Sequence, residues 1–277
     1  LTAATLGVVI GKTFAAATLC ALVLVAGATA GAPARTVSLK IAISGAGTVK
    51  VSNGPSIKCT ATCHRSVRVT KGSRVTLVAR PGKLGKLGPW KGACKGTAAK
   101  CNLHVTRKER VTATFVPPGA KTNPIPMQTG WPIGDGWTLK VVAATPDADG
   151  QVIDNGSGLP AVPSSGTQFF MFEIDLTYAT AGSAMLEPMA QNWFTEGRHN
   201  VKYFYFGGSQ CGTPGEVTLP APDLQPMILA NDSVTSGQSV EGNICFEVAA
   251  NDASTLLLHP ARTGHDGAFD FWFALSS

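Results

Sequence analysis

From Val37 onward, apolar and polar residues alternate with period two: Val37, Leu39, Ile41 and Ile43 fall on one side and Lys40 on the other. Successive side chains of a strand point to opposite faces, so this pattern predicts a half-buried β-strand. Ser44-Gly-Ala-Gly47 is a turn signal, and Val49 and Val51 resume the alternation with Lys50 outward. Together these predict a β-hairpin. The pattern recurs in Val67 and Val69 around Arg68, and in Val75, Leu77 and Ala79 between Arg74, Thr76, Val78 and Arg80. It continues in Leu103 and Val105 around His104, and in Val111, Ala113 and Phe115 between Thr112 and Thr114. The expectation is five or six short strands with one apolar face and an opposite face of Lys, Arg and Thr.

The alternation stops at Pro117-Pro-Gly-Ala-Lys-Thr-Asn-Pro-Ile-Pro126, whose four prolines predict a semi-rigid linker and a domain boundary. It restarts with Trp137, Leu139, Val141 and Ala143. It is strongest over Thr167 to Tyr178, where Phe170, Phe172, Ile174 and Leu176 share a face opposite Glu173 and Asp175. Val201 to Phe206, Val240 to Ala249 and Phe269 to Leu275 read as further strands. No segment holds a helical period beyond a turn or two, and strands broken by Gly and Pro turns predict a β-sandwich. The expected division is residues 1–34 as a targeting segment, 35–116 as a small β-module, 117–130 as linker and 131–277 as the sandwich.

The N-terminal stretch changes the compartment. Lys12 precedes an apolar run from Phe14 to Ala30, followed by the small-residue sites Ala28-Thr-Ala30 and Ala32-Pro-Ala34. Charge, apolar core and A-x-A site in that order predict an export signal cleaved after Ala34, or alternatively after Ala30. The run is short for a span, which needs about 20 residues, so no transmembrane span is expected in the mature chain. Gly7 to Thr13 imitates a phosphate loop but is one residue short. Cys20 falls inside the signal, leaving Cys59, Cys63, Cys94, Cys101, Cys211 and Cys245. An even set of cysteines in an exported chain argues for disulfides and against a zinc site. The first four allow three connectivities; local pairs Cys59–Cys63 and Cys94–Cys101 are preferred because turn residues bracket each, which leaves Cys211–Cys245.

Charge is divided along the chain. Arg35 to Pro118 holds seventeen basic residues and one acid, Glu109, whereas Lys121 onward holds five basic and sixteen acidic residues. A basic face attracts polyanions, and the candidate binding residues are Lys40, Lys50, Arg68, Arg74 and Arg80 with nearby Lys91 and Lys95. An anionic envelope polymer or an acidic protein surface is the expected partner. Specific nucleic-acid recognition is not expected, because between Arg35 and Pro118 Trp90 and Phe115 are the only aromatic residues available to stack on bases. The alternative is a structural adaptor in which the acidic and basic parts neutralise each other within or between chains.

With the strands placed, two family resemblances emerge. Gly45-Ala-Gly-Thr-Val49, Ile57-Lys-Cys59-Thr-Ala-Thr-Cys63, Lys71-Gly-Ser-Arg-Val-Thr-Leu77, Trp90-Lys-Gly-Ala-Cys94-Lys-Gly, Cys101 and Val111-Thr-Ala-Thr-Phe115 resemble the internalin-type B-repeat of bacterial surface proteins. The chain departs from that pattern at Leu87-Gly-Pro-Trp90, where the family has an aromatic residue before Gly-Trp. This resemblance implies an accessory or adhesive module without catalytic residues. Gly134-Asp-Gly-Trp-Thr-Leu-Lys-Val141, Phe169 to Thr177 and Ser236 to Val248 resemble the telokin-like, immunoglobulin-like domain of bacterial secreted lipoproteins and immunoprotective antigens. Thr180-Ala-Gly182 departs from that family's pattern. The resulting fold class is all-β: a small disulfide-clipped β-module followed by an immunoglobulin-like β-sandwich.

Other chemistry is sparse. Asp147-Ala-Asp149-Gly150 with Asp154 begins like a calcium loop but lacks the third Asp or Asn and the closing Glu. His199, His259 and His265-Asp266 are accompanied by no nucleophile elbow or zinc-protease helix. No enzyme activity and no cofactor is expected.

Overall fold

The computed structural model describes residues 34–185, 192–205, 208–212, 216–221, 233–261 and 270–276. The expected export signal and Cys20 lie outside the described residues, as do Phe206 and His265-Asp266. Among the described residues the structure is all-β, with one short 3₁₀ turn at Ala253–Thr255. No helix among them is long and apolar enough to cross a membrane.

The strands of the basic part are β1 (Thr36–Ser44), β2 (Gly47–Val51), β3 (Ser56–Cys59), β4 (Cys63–Thr70), β5 (Ser73–Pro81), β6 (Lys86–Leu87), β7 (Lys91–Gly92), β8 (Lys100–Val105) and β9 (Glu109–Val116). They form two sheets. The first runs β4-β1-β9-β6, with β7 also on β9, and the second runs β3-β2-β5-β8. Leu39, Ile41, Ile43, Val111, Ala113 and Phe115 from the first sheet meet Val49, Val51, Val75, Leu77, Ala79 and Val105 from the second in one buried cluster. The period-two positions are therefore the core.

The expected hairpin does not form. β1 and β2 lie in different sheets: β1 pairs antiparallel with β4 and parallel with β9, whereas β2 pairs with β3 and β5. The Ser44–Gly47 turn is a corner folded over Phe115. At Gly45, with φ of +91°, a Cβ would stand 2.2 Å from the Phe115 carbonyl oxygen, and at Gly47 one would stand 2.4 Å from the Phe115 ring. Glycine lets the backbone close on that ring and supplies the positive φ. The chain thus crosses the core instead of turning back beside itself.

The remaining strands are β10 (Trp131–Gly134), β11 (Trp137–Thr145), β12 (Ile153–Asp154), β13 (Thr167–Tyr178), β14 (Ser183–Met185), β15 (Asn192–Glu196), β16 (Lys202–Phe204), β17 (Val217–Thr218), β18 (Ser233–Thr235), β19 (Ser239–Ala249), β20 (Leu257–Ala261) and β21 (Phe273–Ala274). Sheets β10-β11-β13-β19 and β16-β15-β20-β21 enclose a second cluster that includes Trp137, Phe170, Phe172, Trp193, Tyr205, Phe246 and Phe273. The central pair, β13 with β19, runs in unbroken antiparallel register from Thr167↔Ala249 to Thr177↔Ser239. At its start β13 is buried on both faces: Phe169 and Met171 join Ala148, Val152, Val217 and Leu219 around Cys211–Cys245.

The proline-rich segment is docked. Ile125 is fully buried in the second cluster, its N–H donates to the Trp272 carbonyl (2.7 Å), and the Ile125 carbonyl accepts the N–H of Ala274 (2.9 Å). Lys121 Nζ donates to Glu196 Oε1 at 2.6 Å and sits 4.9 Å from the centre of the Trp272 ring. Asn123 Nδ2 donates to the carbonyls of Leu84 (2.9 Å) and Pro117 (3.1 Å). Side-chain anchors that carry no periodicity thus hold a segment whose composition reads as linker.

Gly47→Val is expected to destabilise the chain by about 1–3 kcal/mol, the usual effect of forcing extra bulk into a packed core. The midpoint of urea unfolding measures it, and combining Gly47→Val with Phe115→Ala should lose less than the sum of the two single effects.

Candidate functional site

The outer faces of the first two sheets carry the cations. On the first sheet, cross-strand pairing aligns Ser66, Lys40 and Arg110 on β4, β1 and β9, because Lys40 opposes both Ser66 and Arg110. The neighbouring row holds His64, Ala42 and Thr112, extended to Lys91 on β7. Arg68 lies opposite Ser38. On the second sheet, Lys58, Thr48 and Arg80 form one row and Ser56, Lys50, Val78 and Lys100 another, while Arg74 opposes His104.

The seven residues expected on one basic face are therefore divided. Lys40, Arg68 and Lys91 belong to the first sheet; Lys50, Arg74 and Arg80 belong to the second, across the shared core. Lys95 lies in the exposed turn after β7. The cause is the corner at Gly45–Gly47, which sends β2 to the opposite sheet. Residues the sequence did not single out complete each face. Arg110, His64 and Ser66 join Lys40; Lys58 and Lys100 join Lys50 and Arg80. Arg110 reaches Lys40 only through a parallel pairing across distant sequence, which no local pattern signals.

These cations have little compensation. From residue 36 to 118, the only ion pair among the described residues is the exposed contact of Arg107 Nε with Glu109 Oε1, 3.2 Å. Like charges directly opposite on neighbouring strands are destabilising, and Lys40 opposite Arg110 is such a pair. Beside it, the small Ala42 leaves a groove of about 260 Å³ lined also by His64, Arg65 and Ser66. Ser66 Oγ is fixed by a 2.7 Å hydrogen bond with Ser38 Oγ.

The frame is clipped twice. Cys59–Cys63 joins the end of β3 to the start of β4, linking the two sheets at their edges, and Cys94–Cys101 ties the turn after β7 to β8; the Cα separations are 6.2 and 6.0 Å. Trp90 is buried beside the second clip and its indole N–H donates to the Ala98 carbonyl at 2.7 Å.

In the acidic part, the aspartates of the calcium-like loop are not gathered. Asp149 Oδ1 accepts the Phe169 N–H (2.7 Å), and Asp154 Oδ1 accepts both the N–H and the hydroxyl of Ser157 (2.7 and 2.8 Å). Those Ser157 bonds hold the Asp154 carboxyl below its usual range. Asp147 Oδ1 caps the Asp149 N–H at 3.4 Å. The carboxylates serve as turn caps, and no cluster of three His, Cys, Asp or Glu suited to a metal ion occurs among the described residues.

The histidines pair with aspartates. His199 Nδ1 lies 2.5 Å from the buried Asp252, which also accepts the His199 N–H (3.2 Å) and the Tyr203 hydroxyl (3.1 Å). Burial pushes the Asp252 carboxyl up, but the His199 backbone and ring together with Tyr203 outweigh it and hold the group below its ordinary 3.8. Gly197 permits the approach, since a Cβ there would meet the Asp252 carboxyl carbon at 2.6 Å. His259 Nε2 is 2.5 Å from Asp270 Oδ1, and its ring stacks on Phe194 and tilts against Trp272. Its Nδ1 is buried and makes no hydrogen bond, so no nucleophile contacts that ring nitrogen among the described residues.

No protein-family model and no curated protein matches the chain. Two solved structures share a distant likeness. A conserved hypothetical protein from Bacillus anthracis aligns at 10% identity and a TM-score of 0.33, covering 49% of this chain and 87% of that one. The yjhA protein from Bacillus subtilis aligns at 10% identity and a TM-score of 0.34, covering 53% and 91%.

Asp252 and Glu247 both have lowered carboxyl values. In Glu247, burial opposes the effect, and hydrogen bonds from the Thr167 hydroxyl and the Ser164 N–H produce it. A carboxyl lowered by folding stabilises fully above its unfolded value, and that contribution is lost as pH falls through the folded value. The urea midpoint should therefore hold steady above the ordinary values of 3.8 and 4.5 and decline below them. Asp252→Asn should flatten the decline and, at neutral pH, lower the stability obtained from the urea curve by about 1–3 kcal/mol.

Proposed function

We propose that the chain is an exported, non-catalytic binding protein whose basic part, residues 35–116, holds an anionic polymer of the cell envelope by electrostatic attraction. The observation that carries this reading is the set of exposed cations on both outer faces of that part, nearly all without an ion-pair partner among the described residues. Surface charge kept uncompensated on a small, clipped frame adds nothing to stability and creates a field that draws in polyanions. The disulfides support an oxidising, extracellular setting. The resemblance to B-repeat modules, which lack catalytic residues, agrees with a binding role, and the acidic sandwich then presents a second surface.

The adaptor reading receives less support within one chain. Among the described residues, Lys121 pairs with Glu196 and Lys140 with Asp175, and no ion pair joins residues 35–116 to the rest of the chain. Pairing between copies would show as concentration-dependent association that salt abolishes.

Retention of the full chain on purified anionic cell-wall material tests the proposal. Bound protein should fall steeply between about 0.01 and 1 M salt, over which the screening length shrinks from about 30 to about 3 Å. Retention that salt does not change, or no retention at low salt, would refute the electrostatic mechanism.

A further inference from the structure

The geometry points to one specific ligand track within the basic part: a groove crossing edge strand β4 that takes a phosphate-bearing polymer. This rests on the polyanion reading above and narrows it to a site and a chemistry.

The track begins in the dent over Ala42, where Lys40 and Arg110 flank a depression of about 260 Å³ reached also by His64 and Ser66. It continues over β4 into a second groove of about 290 Å³, lined by Pro55 and the β3 residues Ser56 to Lys58 on one side and by Arg65 to Val67 of β4 on the other. Arg65 and Ser66 line both grooves and so join them. The position of Arg65 explains the link. It stands opposite the core residue Ile41, on the inward register of β4, yet it is exposed because β4 is the edge strand of its sheet. A charge at an inward edge position also blocks pairing with a further strand, which leaves this edge open to a non-peptide chain.

The donor set selects the anion. A carboxylate is planar and is satisfied by one guanidinium fork. Here a guanidinium, an ammonium and a hydroxyl approach one depression from three adjacent strands, about 4.8 Å apart. Such donors surround a tetrahedral oxyanion and serve more than two of its oxygens. The joining of the two grooves favours a polymer over a free ion, since a single phosphate would fill only the first. The second sheet is also basic, but its groove lined by Arg74, Val75, Thr76, Asn102, Leu103 and His104 holds one guanidinium and no ammonium.

The test uses the full chain and titrates three probes at fixed low salt: a poly(glycerol phosphate) oligomer, glycerol phosphate monomer, and polyglutamate of matching charge. The oligomer is expected to bind more tightly than both others. Lys40→Gln combined with Arg110→Gln should weaken oligomer binding by about tenfold or more, as expected for lost charge-assisted hydrogen bonds. The control pair Arg74→Gln with Arg80→Gln removes the same charge from the second sheet and should weaken it by no more than about threefold. Ala42→Val fills the dent without altering charge, keeps a residue suited to a strand, and should weaken oligomer binding alone; an unchanged unfolding midpoint verifies its fold. Equal losses from the two charge pairs, or no effect of Ala42→Val, would overturn the track while leaving diffuse polyanion binding in place. Polyglutamate binding as tightly as the oligomer would overturn the phosphate assignment. Absence of binding to either polymer would overturn the polyanion reading itself.

Discussion

The packing of Phe115 against the Gly45–Gly47 corner is the constraint on which the basic part depends. The ring occupies the space where side chains at that corner would lie, and its carbonyl closes on Gly45. That contact obliges β1 and β2 to part company, one into each sheet, and it seats β9 parallel to β1. Parallel pairing places Arg110 beside Lys40 and leaves β4 as an edge. The grooves on that edge follow from the same event. Had β1 and β2 formed a local hairpin, the lysines would have shared one sheet and no track would cross β4.

The second part is held by a different kind of contact. Its core is aromatic, with Phe172 and Phe246 stacked at 5.7 Å between centroids. Its loops are fastened by buried carboxylates. Asp252 gathers the His199 backbone, the His199 ring and the Tyr203 hydroxyl, so one side chain ties the β15–β16 turn to the end of β19. Glu196, also buried, does the same for the proline-rich segment through Lys121. Each of these acids is compensated where it is buried, whereas the lysines and arginines of the basic part stay exposed and, among the described residues, all but Arg107 lack an ion-pair partner.

Much of the strand layout was legible in the residues. Thr167–Tyr178 is a strand over the full expected span, and Leu39 to Ile43 and Val111 to Phe115 bury the predicted positions, with Val37 half-buried at the start of its strand. Alternation is a local signal, and the pleat converts it directly into an inner and an outer face. The site was less legible. Lys40 was identifiable as an outward cation and Lys91 as one nearby, but Arg110, Arg65 and His64 join them only through strand neighbours distant in sequence. Ala42 counts as a site residue only because it is small beside long neighbours, which nothing along the chain announces.

By itself, then, the sequence determined an all-β chain, the inner and outer positions of most strands, and the division of charge between its halves. Those properties depend on the period of the backbone and on composition, which each residue carries with it. The tertiary structure alone decided which strands are neighbours, that a glycine turn is a corner and not a hairpin, that a proline-rich segment is docked, and that one basic surface is two. Those outcomes rest on which side chain fills which space, as Phe115 does at the corner, and such a fit exists only when distant segments meet.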